Sequence, residues 1–306
     1  MLLQRAKGFR WAFAASMAAV LIGSSFSSAG VIYFSDAYYP TTSDGFIRSV
    51  NTDGSGLQTI LSIGGGVRGM DVAGNRIFWS DVDNDVIQRS YLDGSGVETV
   101  VGSGLSFPMG LATDAAHNRL YWGDALLGRI DSSDMDGGGA APLLTTPFGN
   151  GLELYGGKLY WTTAVTGDSG DIMRANLDGS DPEVVLTGEG RPSDIALFGG
   201  KVYWTDYVLD RVRRANLDGT GVEDLYIVGA NWNPGGITID PVEQKVYWAQ
   251  STGVGYESAL MRMNLDGSEQ ETLLSGIGIG VSLCWLPEPT ALALLAVGAL
   301  ALRRRS

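Results

Sequence analysis

The hydrophobic residues of the chain fall in short alternating runs rather than in helical periods. Between residues 30 and 285 no window repeats apolar side chains at the helical spacing of about 3.6 residues. The runs are rich in β-branched and aromatic residues and are bounded by turn-forming residues, as strands are. One stretch contains four such runs, at 193–197, 201–205, 211–217 and 223–228. The pattern therefore predicts a repeating unit of four strands.

An aromatic pair marks this unit six times along the chain. The pairs lie 39 to 45 residues apart and are Tyr33-Phe34, Phe78-Trp79, Tyr121-Trp122, Tyr160-Trp161, Tyr203-Trp204 and Tyr247-Trp248. An Asp-Gly dipeptide recurs in phase with them. Asp-Gly between alternating runs is typical of a hairpin turn, because glycine adopts a positive φ at little cost. Six units of four strands predict an all-β fold, a six-bladed β-propeller.

The two ends of the repeat region predict how the ring closes. The first unit begins at 31–34 without a preceding apolar strand, whereas the last unit is followed by a surplus run at 278–283. We expect this run to form the innermost strand of the first blade. The ring would then close without a disulfide and without an open sheet edge. The propeller is predicted to span residues 30–285.

The sequence around the aromatic pairs also resembles a known repeat. Tyr203-Trp204-Thr205-Asp206 and its five variants resemble the YWTD repeats of the low-density-lipoprotein receptor family. So does Asn-Leu-Asp-Gly at 176–179, 216–219 and 264–267. The resemblance covers about residues 31–285 and implies a six-bladed propeller.

The repeated side chains are expected to be scaffold. The two members of an aromatic pair lie on opposite faces of one strand, and each blade packs against two neighbours, so both members should be buried. The aspartates that end the same strand are expected to bond loop backbone, and they are Asp36, Asp81, Asp124 and Asp206.

Strand order divides the connections between two faces. Turns that join the first to the second strand of a unit, and the third to the fourth, lie on one face, here called the turn face. The other loops lie on the loop face, around the channel mouth, where a scaffold normally carries binding residues. The candidate ligand-binding residues there are Trp232, Tyr207, Arg191, Asn231, Tyr38, Tyr39, Arg68 and Phe107. Trp232, between two asparagines, suits sugar or peptide recognition, with packing between blades as the alternative.

Composition narrows the possible chemistry. The 306 residues include 1 Cys and 1 His, which excludes an intramolecular disulfide framework and cysteine-based or multi-histidine metal sites. His117 is expected to be a solvated turn residue and Cys284 a buried thiol. The stretch 81–85 resembles the start of a calcium loop, but Val86 and Leu92 occupy the positions that need Gly and Glu. We predict no metal, no cofactor and no catalytic residue.

Three functions follow from these patterns. The favoured one is a non-enzymatic module that binds a partner through the loop face. The alternative is a metal-dependent propeller hydrolase or lyase with its site in the central channel, where Asp71, Asp194 and Asp240 recur near the innermost strands. The third is a spacer in an extracellular matrix, which would bind no ligand.

The N-terminus carries the features of a secretory signal peptide, predicted at residues 1–29. Arg5, Lys7 and Arg10 precede an apolar run, and small residues follow at a plausible cleavage site.

The C-terminal 286–306 resembles a sorting signal. Pro287-Glu288-Pro289 precedes a short apolar segment and then Arg303-Arg304-Arg305. This order resembles the PEP-CTERM signal of Gram-negative bacteria. The resemblance implies recognition by a membrane-embedded exosortase and delivery to the cell surface or extracellular matrix. Membrane contact is expected only through the terminal signals, as a short transmembrane segment.

Charge separates the two ends from the middle. The whole chain has a formal charge of −13, whereas residues 30–285 carry 15 basic and 33 acidic residues, a net of −18. Nucleic-acid binding needs clustered Lys and Arg, so a nucleic-acid partner is not expected. The predicted partners are the exosortase and secretion machinery during export, and an unknown protein or polysaccharide ligand.

Overall fold

The computed structural model describes residues 30–37, 45–163, 169–229, 232–252, 258–278, 280 and 282–287. Over these residues the chain forms six four-stranded antiparallel sheets, each of which is one blade of a β-propeller. The predicted all-β, six-bladed architecture is confirmed.

The strands are numbered along the chain, and blades two to six each take four successive strands, from the innermost to the outermost. The first twelve are β1 (Val31–Ala37), β2 (Gly45–Asn51), β3 (Gln58–Ile63), β4 (Val67–Ala73), β5 (Arg76–Asp81), β6 (Val86–Tyr91), β7 (Glu98–Val101), β8 (Pro108–Asp114), β9 (Arg119–Asp124), β10 (Arg129–Asp134), β11 (Ala141–Thr145) and β12 (Leu152–Tyr155). The others are β13 (Lys158–Thr162), β14 (Ile172–Asn176), β15 (Glu183–Leu186), β16 (Pro192–Phe198), β17 (Lys201–Asp206), β18 (Arg211–Asn216), β19 (Glu223–Ile227), β20 (Trp232–Asp240), β21 (Lys245–Thr252), β22 (Ser258–Asn264), β23 (Glu271–Ser275) and β24 (Leu283–Leu286).

The first blade takes its innermost strand from the other end of the chain. Its order is β24-β1-β2-β3, with Val31 opposite Leu286 and Phe34 opposite Leu283. The predicted ring closure by a C-terminal strand is confirmed, but the predicted position at 278–283 was wrong. Pairing with β1 fixes the register of this strand, so it runs to Leu286, a residue that the sequence placed in the terminal signal.

Both ends of the described propeller lie on the turn face. Gly30 precedes β1, and its carbonyl accepts a hydrogen bond from the Thr52 amide at 2.9 Å, where the turn after β2 begins. Leu286 ends β24 beside Val31. Among the described residues no helix is long and apolar enough to cross a membrane. The predicted signal peptide and the C-terminal apolar segment lie outside those residues.

The aromatic pairs hold neighbouring blades together. All twelve aromatic side chains are buried. At each junction the first aromatic residue of one blade shares a hydrophobic cluster with the second aromatic residue of the next. The six combinations are Tyr33 with Trp79, Phe78 with Trp122, Tyr121 with Trp161, Tyr160 with Trp204, Tyr203 with Trp248, and Tyr247 with Phe34. The last one joins the sixth blade to the first, so the packing continues around the whole ring.

The residue after the aromatic pair links the innermost strands of two blades. In the second blade the Ser80 hydroxyl accepts a hydrogen bond from the Gly69 amide and donates one to the Met109 carbonyl of the third blade, both at 2.8 Å. Thr205 makes the same two bonds between the fifth and sixth blades. The strands approach closely here, and a Cβ on Gly69 would overlap the Met109 carbonyl oxygen.

An arginine on the third strand makes a second link between blades. In the second blade Arg89 forms an ion pair with Glu98 of β7 and donates to the Met135 carbonyl in the next blade, both at 2.8 Å. The corresponding bonds to the next blade are Arg174 to Leu217, Arg214 to Leu265 and Arg262 to Thr52. The first and third blades hold Ser49 and Ser132 at this position.

We expect Thr205→Val to destabilise the propeller by about 1–3 kcal/mol, because the substitution keeps the shape but leaves the partly buried Asp194 amide and Gly235 carbonyl without their hydroxyl partner. The measurement is the free energy of unfolding in urea. Thr59→Val on the exposed side of β3 is the control and should change stability by less than about 0.5 kcal/mol. Equal effects of the two substitutions would contradict the proposed link.

Candidate functional site

Two adjoining cavities lie along the axis of the ring. The loop-face cavity has a volume of about 260 Å³ and opens on the loop face. Its lining residues include Arg68, Asn150, Arg191, Ser193, Tyr207, Asn233 and Ser251. The channel cavity, of about 210 Å³, shares Arg68 and Asn150 with it and continues past Asp71, Glu153, Asp194 and Cys284. Both cavities are therefore lined by Arg68, and the loop-face cavity also by Arg191, whereas the carboxyl groups lie in the channel cavity.

The repeat aspartate of the fifth blade positions two of the site residues. Asp206 is fully buried, and one of its carboxylate oxygens accepts hydrogen bonds from the amides of Arg191, Val208 and Leu209 at 2.9–3.1 Å. The Tyr207 amide donates to the Arg191 carbonyl at 3.0 Å. The loop before β16 and the loop after β17 are thus fastened to one carboxylate, which is the role expected for this residue.

Arg191 and Tyr207 form a stacked pair at the cavity mouth. The guanidinium carbon of Arg191 lies 5.4 Å from the centroid of the Tyr207 ring, a distance at which a cation and an aromatic ring attract. Both side chains are exposed, and 44 % of Tyr207 is accessible to water. Arg191 forms no ion pair with a described residue. Its charge is therefore available to a ligand.

The carboxylates of two channel aspartates accept hydrogen bonds from the next blade. Asp71 accepts hydrogen bonds from the amide and the hydroxyl of Thr113, each at 2.7 Å, and Asp194 accepts one from the Ile237 amide at 3.0 Å. Burial raises the pKa of Asp71, although the bonds from Thr113 oppose the shift. Burial raises the pKa of Asp194 to about 7, although hydrogen bonds from the Ile237 and Ile195 amides oppose the shift.

Glu153 is the third channel carboxyl group, and it has no hydrogen-bond donor among the described residues. It lies on β12 and lines the channel cavity with Asp71 and Asp194. Burial raises the pKa of Glu153 well above its usual value, and the negative charges of Asp71 and Asp194 raise it further. Burial and the neighbouring charges thus both penalise the ionised form of this side chain.

Of the three aspartates predicted near the channel, Asp71, Asp194 and Asp240, the last does not line it. Its carboxylate accepts hydrogen bonds from the Val242 and Glu243 amides in the turn after β20. Cys284 does line the channel, and burial raises its pKa well above the usual value. Within the described part of the chain no three His, Cys, Asp or Glu side chains form a group suited to a metal ion.

The carboxylates of the calcium-like stretch bond backbone amides. Asp83 accepts a hydrogen bond from Gly66 at 2.8 Å, and Asp85 accepts one from Phe107 at 2.7 Å. His117 lies on the turn face, 72 % exposed, with its Nδ1 2.7 Å from an oxygen of Asp114. Asp83, Asp85 and His117 thus make contacts that are typical of loop and turn residues.

The predicted ligand-binding residues separate into three groups. Arg68, Arg191 and Tyr207 meet at the loop-face cavity. Phe107 and Trp232 are partly buried and pack against hydrophobic clusters instead, so Trp232 follows the alternative of packing between blades. Tyr38, Tyr39 and Asn231 lie outside the described residues. Sequence reasoning missed four polar residues of the cavity, namely Asn150, Ser193, Asn233 and Ser251.

We expect Glu153→Gln to stabilise the protein at pH 8 by more than about 1 kcal/mol and to leave stability unchanged at pH 4. Glutamine mimics the neutral carboxyl group, and the raised pKa makes the native protein less stable as pH rises above the unfolded-state value of about 4.3. Urea unfolding at the two pH values measures the effect, and Glu243→Gln in an exposed turn is the control. A loss of stability at pH 8 would contradict the channel electrostatics.

Comparisons with known proteins agree with this geometry. No protein-family model matches the chain. It is 30 % identical over 159 residues to low-density lipoprotein receptor-related protein 1 of Pyricularia oryzae, which covers 44 % of this chain and 48 % of that protein. It is 48 % identical over 44 residues to human low-density lipoprotein receptor-related protein 5, or 14 % of this chain and 3 % of the receptor. The chain thus spans about half of the fungal relative and a small part of the human one.

Solved structures with similar folds extend over most of the chain. One chain of a nidogen/laminin complex superposes with a TM-score of 0.70 at 18 % identity, covering 84 % of this chain and 98 % of that one. TolB from Acinetobacter baumannii superposes with a TM-score of 0.67 at 17 % identity, covering 85 % and 67 %. These solved structures share the β-propeller fold of the chain, and parts of its sequence are similar to low-density lipoprotein receptor-related proteins.

Proposed function

We propose that the protein is an exported, non-enzymatic binding module of the cell surface or extracellular matrix, which recognises its partner through the loop face. The observation that carries this proposal is the exposed Arg191–Tyr207 pair at the mouth of an open cavity. Arginine and tyrosine are enriched among residues that dominate binding energy at interfaces. Because Asp206 fixes both loops, little conformational entropy is lost when a partner binds.

Export is supported by the two terminal sequences. The signal-peptide features of 1–29 and the PEP-CTERM-like order of 286–306 favour secretion from a Gram-negative bacterium, with an exosortase and the secretion machinery as partners during export. The chain enters and leaves the propeller on the turn face, at Gly30 and Leu286. A protein attached through either end would present its loop face outward.

The fold neighbour supports a binding role in particular. A chain of a nidogen/laminin complex has the same architecture over most of its length. The alternative, a metal-dependent hydrolase or lyase, would need free ligands in the channel. Asp71 and Asp194 both accept backbone hydrogen bonds there, and only Glu153 is free of them among the described channel carboxyls. This distribution favours the binding module over the enzyme.

We expect Arg191→Ala with Tyr207→Ala to weaken binding of the fluorescently labelled protein to the surface of the exporting cells at least about tenfold, because two central contact residues are removed. Both side chains are exposed, so the fold should persist, and circular dichroism checks this. The measurement is a saturation binding curve on whole cells.

The matched control is His117→Ala with Arg119→Ala on the turn face, which should bind like the unaltered protein. Unchanged affinity in the folded loop-face variant, or equal losses in both variants, would place the binding surface elsewhere.

A further inference from the structure

We propose that the loop-face cavity binds a carboxylate-bearing sugar, a uronate unit within a glycan whose other sugars are uncharged. This inference rests on the proposed function and names the chemistry of its partner. It follows from the charge of the cavity, the hydrogen-bonding capacity of its walls, and the charge of the surrounding domain.

The cavity is positively charged within a strongly acidic domain. Residues 30–285 have a net charge of −18, yet the described residues that line the cavity include Arg68 and Arg191 and no Asp or Glu. Ten arginines of the domain form ion pairs with carboxylates of described residues. Arg191 forms none with them and stacks on Tyr207 instead. A guanidinium held in this way offers two parallel N–H donors to a planar carboxylate.

The walls of the cavity offer further hydrogen bonds. Asn150, Ser193, Asn233 and Ser251 are among its lining residues, and none of their side chains forms a hydrogen bond with another described residue. Amides and hydroxyls both donate and accept, so together they match a ligand that carries several hydroxyl groups. A sugar ring has this property, whereas the carboxylate of an acidic peptide side chain brings no hydroxyl groups with it. The four free polar side chains therefore favour the sugar.

The charge of the domain limits the charge of the glycan. A densely charged polyanion would be repelled by this acidic domain, because its charges would come within the screening length, about 8 Å at physiological salt, of the domain's carboxylates. A single uronate flanked by uncharged sugars brings one carboxylate to Arg191 and little repulsion elsewhere. The cavity volume of about 260 Å³ equals roughly nine water molecules at about 30 Å³ each, which leaves room for one sugar ring.

Calorimetric titration of the purified full-length chain in detergent tests this assignment. We expect D-glucuronate to bind with a dissociation constant near 1 mM, and D-glucose and the methyl ester of glucuronic acid at least about tenfold more weakly, because both lack the charge. Arg191→Gln should weaken glucuronate binding at least about tenfold. The control is Arg76→Gln, since Arg76 also stacks on a tyrosine, Tyr91, but lies in the second blade away from the cavity. That variant should bind glucuronate normally.

Several outcomes would overturn the assignment. Equal binding of glucose and glucuronate would show that the carboxylate is not recognised. Equal binding of acetate and glucuronate would show that the sugar ring is not recognised. Tighter binding of an acidic peptide than of glucuronate would replace the glycan by a protein partner. If the loop-face variant loses binding to cells while glucuronate shows no saturable binding, the proposed function stands and this inference fails.

Discussion

The structure depends on the close approach of six innermost strands around one axis. Each sheet must bury both faces against neighbours, and the large aromatic pair supplies that packing at every junction. At Gly69 and Gly110 the innermost strands approach so closely that a Cβ atom would overlap a carbonyl oxygen of the next blade. The hydroxyls of Ser80 and Thr205 then complete the hydrogen bonding across the junctions. The loops that precede or follow the innermost strands therefore lie near the axis.

This convergence explains why one cavity contains residues that are far apart in sequence. Arg68, Asn150, Arg191 and Asn233 come from four different blades and meet at the channel mouth. The scaffold and the site also share a residue, because Asp206 is a repeat aspartate and fixes the loops that carry Arg191 and Tyr207. Below them lie the channel carboxyl groups of Glu153 and Asp194, whose pKa values are raised by burial.

The repeats made the fold predictable, whereas the site was predictable only in part. Aromatic pairs and Asp-Gly turns recur in phase, so six independent copies supported the same conclusion. Tyr207 follows a repeat aspartate directly, and its place at the loop face could therefore be inferred. Trp232 begins β20 and packs inward, because strand register and not loop exposure decides its environment. Asn150 and Ser251 occupy the repeat positions held by Arg68 and Tyr207 in other blades, but the residue type at these positions changes from blade to blade, so neither the aromatic pairs nor the Asp-Gly turns pointed to them.

The central claim is that the loop face recognises the partner while the turn face carries both chain ends. Hydrogen-exchange footprinting of the protein on the surface of the exporting cells tests it most directly. We expect slower exchange at 189–193 and 206–209 on binding, with unchanged exchange in the turns at 134–138 and 176–180. Protection of those turns with an unprotected loop face would contradict it.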